Sequence, residues 1–112
     1  RVHNIHLVGG PHEERVAQAA RVAAAVRSEP TARLVVCGDL NAPDGAEVLA
    51  ELATVGVEDT GGTVTNPSEA PDQRLDYVLV PTGSEVLLVD TPEGGDAWRA
   101  ISDHLPVLVE FR

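Results

Sequence analysis

The chain contains no lysine. All eight of its basic residues are arginines, scattered singly among 18 acidic residues, and the net charge is −10. Nucleic-acid affinity comes largely from clustered Lys and Arg that neutralise phosphates. No such cluster exists here, so a nucleic-acid-binding surface is disfavoured unless other segments supply the charge. A small phosphorylated substrate, with a divalent cation offsetting the carboxylates, suits this balance better; the plainer reading is that the acidity only keeps the protein soluble. Cysteine is nearly absent too. Cys37 is alone, which excludes an intrachain disulfide. It lies in the apolar run Leu34-Val35-Val36-Cys37, where a free thiol reads as a small buried hydrophobe; a nucleophile would need a base beside it. No apolar run approaches the ~20 residues of a membrane-spanning helix. No charged-then-apolar leader opens the chain. The expected location is therefore cytoplasmic, with an extracellular one left open because a leader would lie outside this chain. Arg1 in place of Met suggests a trimmed or processed chain that opens directly on a strand.

What is present fits one globular domain over residues 1–112, with 43% hydrophobic residues. A chain of this length buries roughly 65% of its unfolded surface. Val2 to Val8 alternates and stops at Gly9-Gly10-Pro11, as a strand and turn do. Val16, Ala19, Ala20, Ala23 and Val26 recur at the spacing of one helical face between Glu13 and Arg27, with Glu14, Gln18 and Arg21 on the other side, and Pro30 beyond the end. Arg33 to Gly38 is continuously apolar, as expected for a strand covered on both faces. Asp44 and Glu47 have capping-box spacing and predict a second helix through about Val55, closed by Gly56. Its apolar face is Val48, Leu49, Leu52 and Ala53. Gly61 to Gln73 reads as a loop with a short strand near Thr63 to Thr65. Three strands follow, at Leu75–Val80, Glu85–Val89 and Pro106–Phe111, with a turn at Thr91–Gly95. The order β-α-β-α-β-β-β predicts an α/β domain with a mixed sheet.

Three short motifs sit at strand ends: Gly38-Asp39-Leu40-Asn41, Arg74-Leu75-Asp76-Tyr77 and Ser102-Asp103-His104. The open end of a strand in an α/β sheet is a common ligand site. Asp39 could accept a proton from water, and Asn41 offers a donor and an acceptor to a phosphate; the same segment also reads as a turn rich in Asp, Asn, Pro and Gly. Asp76 is more informative. A carboxylate inside an apolar strand is costly unless paired. His104 could be its partner, with Asp76 fixing the imidazole tautomer, or the pairing could be structural, with Arg74 or Tyr77. Asp103-His104 alone is weak evidence, since Ser102-Asp103 also makes a good turn. His6 alternates with Val2, Asn4 and Val8 on one strand face, opposite His3, Ile5 and Leu7. A single strand histidine is more often structural than catalytic, and His3 and His6 make a poor metal pair. His12 reads as an exposed turn residue.

Taken together, these segments resemble the endonuclease/exonuclease/phosphatase superfamily, the DNase I-like fold. The matching residues are Asn4-Ile5-His6-Leu7, Arg15 and Gln18 on the following helix, and then the three motifs in order, the last continuing as Leu105-Pro106-Val107. The resemblance implies a metal-dependent phosphoester hydrolase: a phosphodiesterase, phosphatase or nuclease. It implies that Asp39 activates the attacking water, that Asn41 and His104 hold the scissile phosphate, that His6 contacts the phosphate or assists the leaving group, and that Asp76 orients His104. Asp103 and Asp39 would lie at the metal, with Mg²⁺ or Mn²⁺ suited to hard oxygen ligands.

The family fold is a four-layer α/β/β/α sandwich of two similar halves, and only the C-terminal half is matched. That implies half of a sandwich: a mixed β-sheet with two helices on one face. The family's principal metal-binding Glu lies in the other half, and Glu13, Glu14 and Glu29 do not stand in its Gln-Glu context. The activity is accordingly expected of the parent protein rather than of this stretch by itself. The open sheet face would pack on the absent N-terminal half or on a second copy as a homodimer. The competing expectation is a non-catalytic half-fold that serves as a dimerisation or interaction module.

Overall fold

The computed structural model describes residues 1–112. Its backbone is built around four strands in the order β1-β2-β4-β3. Strand β1 (Val2–His6) pairs parallel with β2 (Val35–Asp39), and β4 (Asp76–Pro81) pairs antiparallel with both β2 and β3 (Val57–Asp59). The parallel pair is joined by helix α1 (His12–Val26), the long crossover that such a pair requires. A 3₁₀ turn at Thr31–Arg33 leads into β2, and helix α2 (Ala46–Ala53) leads into β3.

One face of this sheet holds Val36, Val57, Tyr77 and Leu79, all buried. They pack with Ala19, Ala23 and Val26 of α1 and with Val48 and Leu52 of α2 in a single core. The predicted helical faces are therefore the ones that pack, and each fully buried Leu or Val adds about 1.5–3 kcal/mol. Mixed pairing and an α/β core agree with the expectation. The opposite face carries Val2, Asn4, His6, Val35, Cys37, Asp39, Glu58, Asp76, Val78 and Val80. Of these only Val80 is buried, and Val2 is 69% exposed. Cys37 is half-buried, and burial pushes its thiol pKa up.

Several local expectations are corrected. Thr63–Thr65 forms no strand; only an isolated bridge joins Asn66 to Gln73. The third strand of the sheet is instead Val57–Asp59, too short to show an alternation. The N-cap of α2 is Gly45, with no side-chain capping bond, so Asp44 and Glu47 do not form a capping box. Gln18 does not point away from the fold: its Oε1 accepts the Val8 N–H at 2.7 Å. The Thr91–Gly95 turn continues into a short helix α3 (Gly95–Arg99). Finally, β5 (Val86–Asp90) and β6 (Leu108–Phe111) leave the main sheet and pair with each other as a separate antiparallel ribbon. No helix is long and apolar enough to cross a membrane.

Candidate active site

Strand register assembles the site. His6 lies opposite Asp39 across β1 and β2, and Asp39 lies opposite Asp76 across β2 and β4. Directly paired residues share a sheet face, so three side chains from distant parts of the chain form one row. They sit where β1 and β2 end and β4 begins. Gly38 permits this approach: its φ is +131°, and a Cβ there would lie 2.0 Å from the Ile5 carbonyl oxygen.

His104 completes the row from the turn before β6. Its Nδ1 lies 2.7 Å from Asp76 Oδ2, and its Nε2 faces Asp39 Oδ2 at 3.8 Å. His6 Nε2 approaches the same Asp39 oxygen at 3.5 Å, with its ring 74% exposed. Asp39, Asp76 and His104 thus bring ligand-type atoms within 4.8 Å of one another. Of the alternatives for Asp76, the partner is His104. Arg74 forks instead onto Asp59 with two 2.7 Å bonds, reaches the Gly61 carbonyl, and stacks 4.1 Å over the Tyr77 ring.

Asn41 follows Asp39 at a positive φ of 49°, a conformation Asn tolerates better than most residues. Its backbone N–H donates to Asp39 Oδ1 at 2.8 Å, and its side-chain Nδ2 donates to the Leu7 carbonyl at 2.7 Å. One amide hydrogen and the side-chain oxygen remain for a ligand. The Tyr77 hydroxyl donates to Ala42 and clamps this loop from below. The Tyr77 phenol pKa is raised by burial, against the opposing pull of Arg74. Asp103 has its carboxylate outside the Asp39–Asp76–His104 cluster and is exposed; its carbonyl accepts from the Ser68 N–H and Asn66 Nδ2.

Thr65 is the residue that sequence reasoning missed. It is fully buried, accepts the Leu75 N–H at 3.3 Å, and donates its hydroxyl to Asp76 Oδ2 at 2.6 Å. Because the Thr65 oxygen already accepts from Leu75, its own proton is directed to Asp76. The same carboxylate oxygen therefore receives Thr65 O–H and His104 Nδ1–H, which turns Nε2 toward Asp39 and the open site. Desolvation acts to lower the His104 pKa, but the hydrogen bond to Asp76 and the charges of Asp76, Asp39 and Asp103 outweigh it, and the net shift is upward. A lone Thr inside a polar loop gives no sequence signal for such a role. Arg15 and Gln18, matched only by resemblance, both hold the turn after β1: Arg15 donates to the Gly10 carbonyl, and Gln18 receives Val8.

With this geometry in place, comparison with known proteins is decisive for the family. The Endonuclease/Exonuclease/phosphatase family model matches residues 2–104. The chain belongs to this family. Its fold is similar to the crystal structure of a functionally unknown conserved protein from Enterococcus faecalis V583, with a TM-score of 0.79 and 23% identity. The match covers 99% of this chain and 49% of that one, so the family segment spans about half the length of its structural relative. No curated protein matches the sequence.

Proposed function

We propose that the chain carries the phosphate-handling half of a metal-dependent phosphoester hydrolase. The observation behind this reading is the Thr65–Asp76–His104–Asp39 arrangement: an oriented imidazole and a carboxylate converging on one open point. Asp39 Oδ2 is placed to hold or deprotonate an attacking water. His104 Nε2 is placed to donate to a phosphoryl oxygen as negative charge grows there, and protonation strengthens that donation. Asn41 offers a neutral donor beside it, and the exposed His6 lies on the flank where a leaving group would depart. Asp76 touches no substrate in this reading; it holds the His104 tautomer.

The carboxylates of Asp39 and Asp76 supply part of a cation site, while both His104 nitrogens serve as donors. The carboxylates fit a Mg²⁺ or Mn²⁺ that keeps several waters and takes further oxygens from the substrate. Asp39 and Asp76 would hold it, and the exposed Asp103, whose carboxylate lies outside their cluster, would add to it only through water. Such an ion supplies charge neutralisation at the phosphate. The substrate class is a small phosphorylated molecule or a phosphodiester, which an acidic chain without a basic patch tolerates better than a nucleic-acid polymer.

The test is turnover of a generic phosphodiester and a phosphomonoester with Mg²⁺, with Mn²⁺ and with chelator. Metal-dependent hydrolysis that falls about 10²–10⁴-fold in Asp39→Ala and His104→Ala supports the reading. Inactivity together with no binding of phosphate or Mg²⁺ by the chain supports the alternative, a non-catalytic half-fold that serves as a dimerisation or interaction module. The open sheet face favours that alternative, and it is also the face on which the second layer of a four-layer sandwich would pack, whether a missing half or a second copy.

A further inference from the structure

We infer that the hollow between Trp98 and His104 is a subsite for a planar apolar group on the ester, and that Trp98 selects for it. This rests on the phosphoesterase reading above. The hollow is open to solvent, has a volume of about 160 Å³ and is lined by Trp98, Ser102, His104, Leu105 and Pro106. A volume of roughly 150 Å³ holds one benzene-sized ring, so the hollow has room for a single ring. His104, whose Nε2 faces the phosphate position, lines the hollow together with Trp98, the only tryptophan in the chain. A group bonded to a phosphate at His104 therefore has an aromatic surface within reach.

The placement of the indole is built in. Trp98 accepts the Ser102 N–H on its carbonyl at 2.9 Å, and the Ser102 hydroxyl accepts the His104 N–H at 3.0 Å. Two hydrogen bonds through one serine thus tie the indole-bearing residue to the imidazole-bearing one. Ser102 is in turn held by Ser68, whose hydroxyl donates to the Ser102 carbonyl at 2.9 Å. Gly94 has an ordinary φ of −108°, so it is not needed for backbone freedom. It is needed for space: a Cβ there would lie 1.2 Å from Trp98 Cδ1. The indole N–H makes no hydrogen bond within the protein and is available to a polar substituent on the ring.

The sole tryptophan makes the subsite directly observable. Phenyl phosphate and methyl phosphate are titrated into the full chain with Mg²⁺ present, read by Trp98 emission and by calorimetry. Phenyl phosphate is expected to quench the emission and to bind about 3- to 10-fold more tightly than methyl phosphate. Trp98→Leu, which keeps apolar volume without a ring, is expected to abolish that preference in calorimetry. Gly94→Ala, which displaces the indole without removing it, is expected to reduce the preference and shift the emission. Equal binding of the two esters by the native chain, or an undiminished phenyl preference in Trp98→Leu, overturns the subsite alone. If neither ester binds, the phosphoesterase reading falls and the subsite with it.

Discussion

Asp76 and His104, 28 residues apart in sequence, meet at 2.7 Å through Oδ2 and Nδ1. The contact joins the first residue of β4 to the turn before β6, so it depends on where two separate sheets place their ends. It also determines which imidazole nitrogen faces the site. Thr65 completes it by occupying the same carboxylate oxygen from the other side.

The His104 pKa is raised in the folded chain. Its pairing therefore contributes stability that is fully present below the unfolded value of about 6.5 and is lost as pH rises through the higher folded value. Imidazole NMR titration in chelator is expected to give a midpoint above that of a free histidine. Asp76→Asn, which removes the charge but keeps an acceptor, is expected to lower the midpoint; an unchanged midpoint would refute the assignment.

Thr65→Val removes the donor to Asp76 and leaves the Leu75 N–H without its partner. The cost expected for a buried polar group left unsatisfied is about 1–3 kcal/mol. Thr65→Ser keeps the hydroxyl and is expected to recover most of it. Urea denaturation of the three proteins measures the difference, and a loss in Thr65→Ser as large as in Thr65→Val would show that the hydroxyl is not the dominant contribution.

Gly38→Ala is expected to be among the most damaging single changes. Its φ of +131° strains any residue with a Cβ, and that Cβ would collide with the Ile5 carbonyl that backs the β1–β2 pairing. A loss above ~3 kcal/mol, or failure to fold, is expected. A chain of near-native stability would contradict the close approach.

The open sheet face and the ribbon expose Val2, Val35, Val78, Leu87, Leu88, Leu108 and Phe111 to varying degrees. Exposed apolar residues of this kind favour association. The chain alone is expected to sediment as a dimer or to bind an apolar dye strongly. A folded monomer with no dye binding would overturn the proposed second layer.

Much of the architecture was legible because long elements repeat a physical pattern. Fifteen residues of α1 display a helical period, and the apolar runs of β2 and β4 have the length and punctuation of strands. β3 and α3, three and five residues long, show no period of their own and exist because neighbours pair with or support them. The capping-box spacing at Asp44 misled because chain geometry places Gly45 at the helix start. The division into a main sheet and a β5–β6 ribbon has no local signature at all, since either pairing would satisfy the same alternating residues.

The sequence by itself determined the family and singled out Asp39, Asn41, Asp76 and His104 as candidate site residues, because motif order and residue chemistry are one-dimensional information. Only the tertiary structure decided which oxygen meets which nitrogen, that Thr65 stands behind Asp76, and that Trp98 shares a hollow with His104. Those relations arise from strand register and turn placement. The oxygen–nitrogen and hydroxyl contacts join residues 11, 28 or 65 positions apart, separations at which neighbouring residues along the chain carry no trace of the contact.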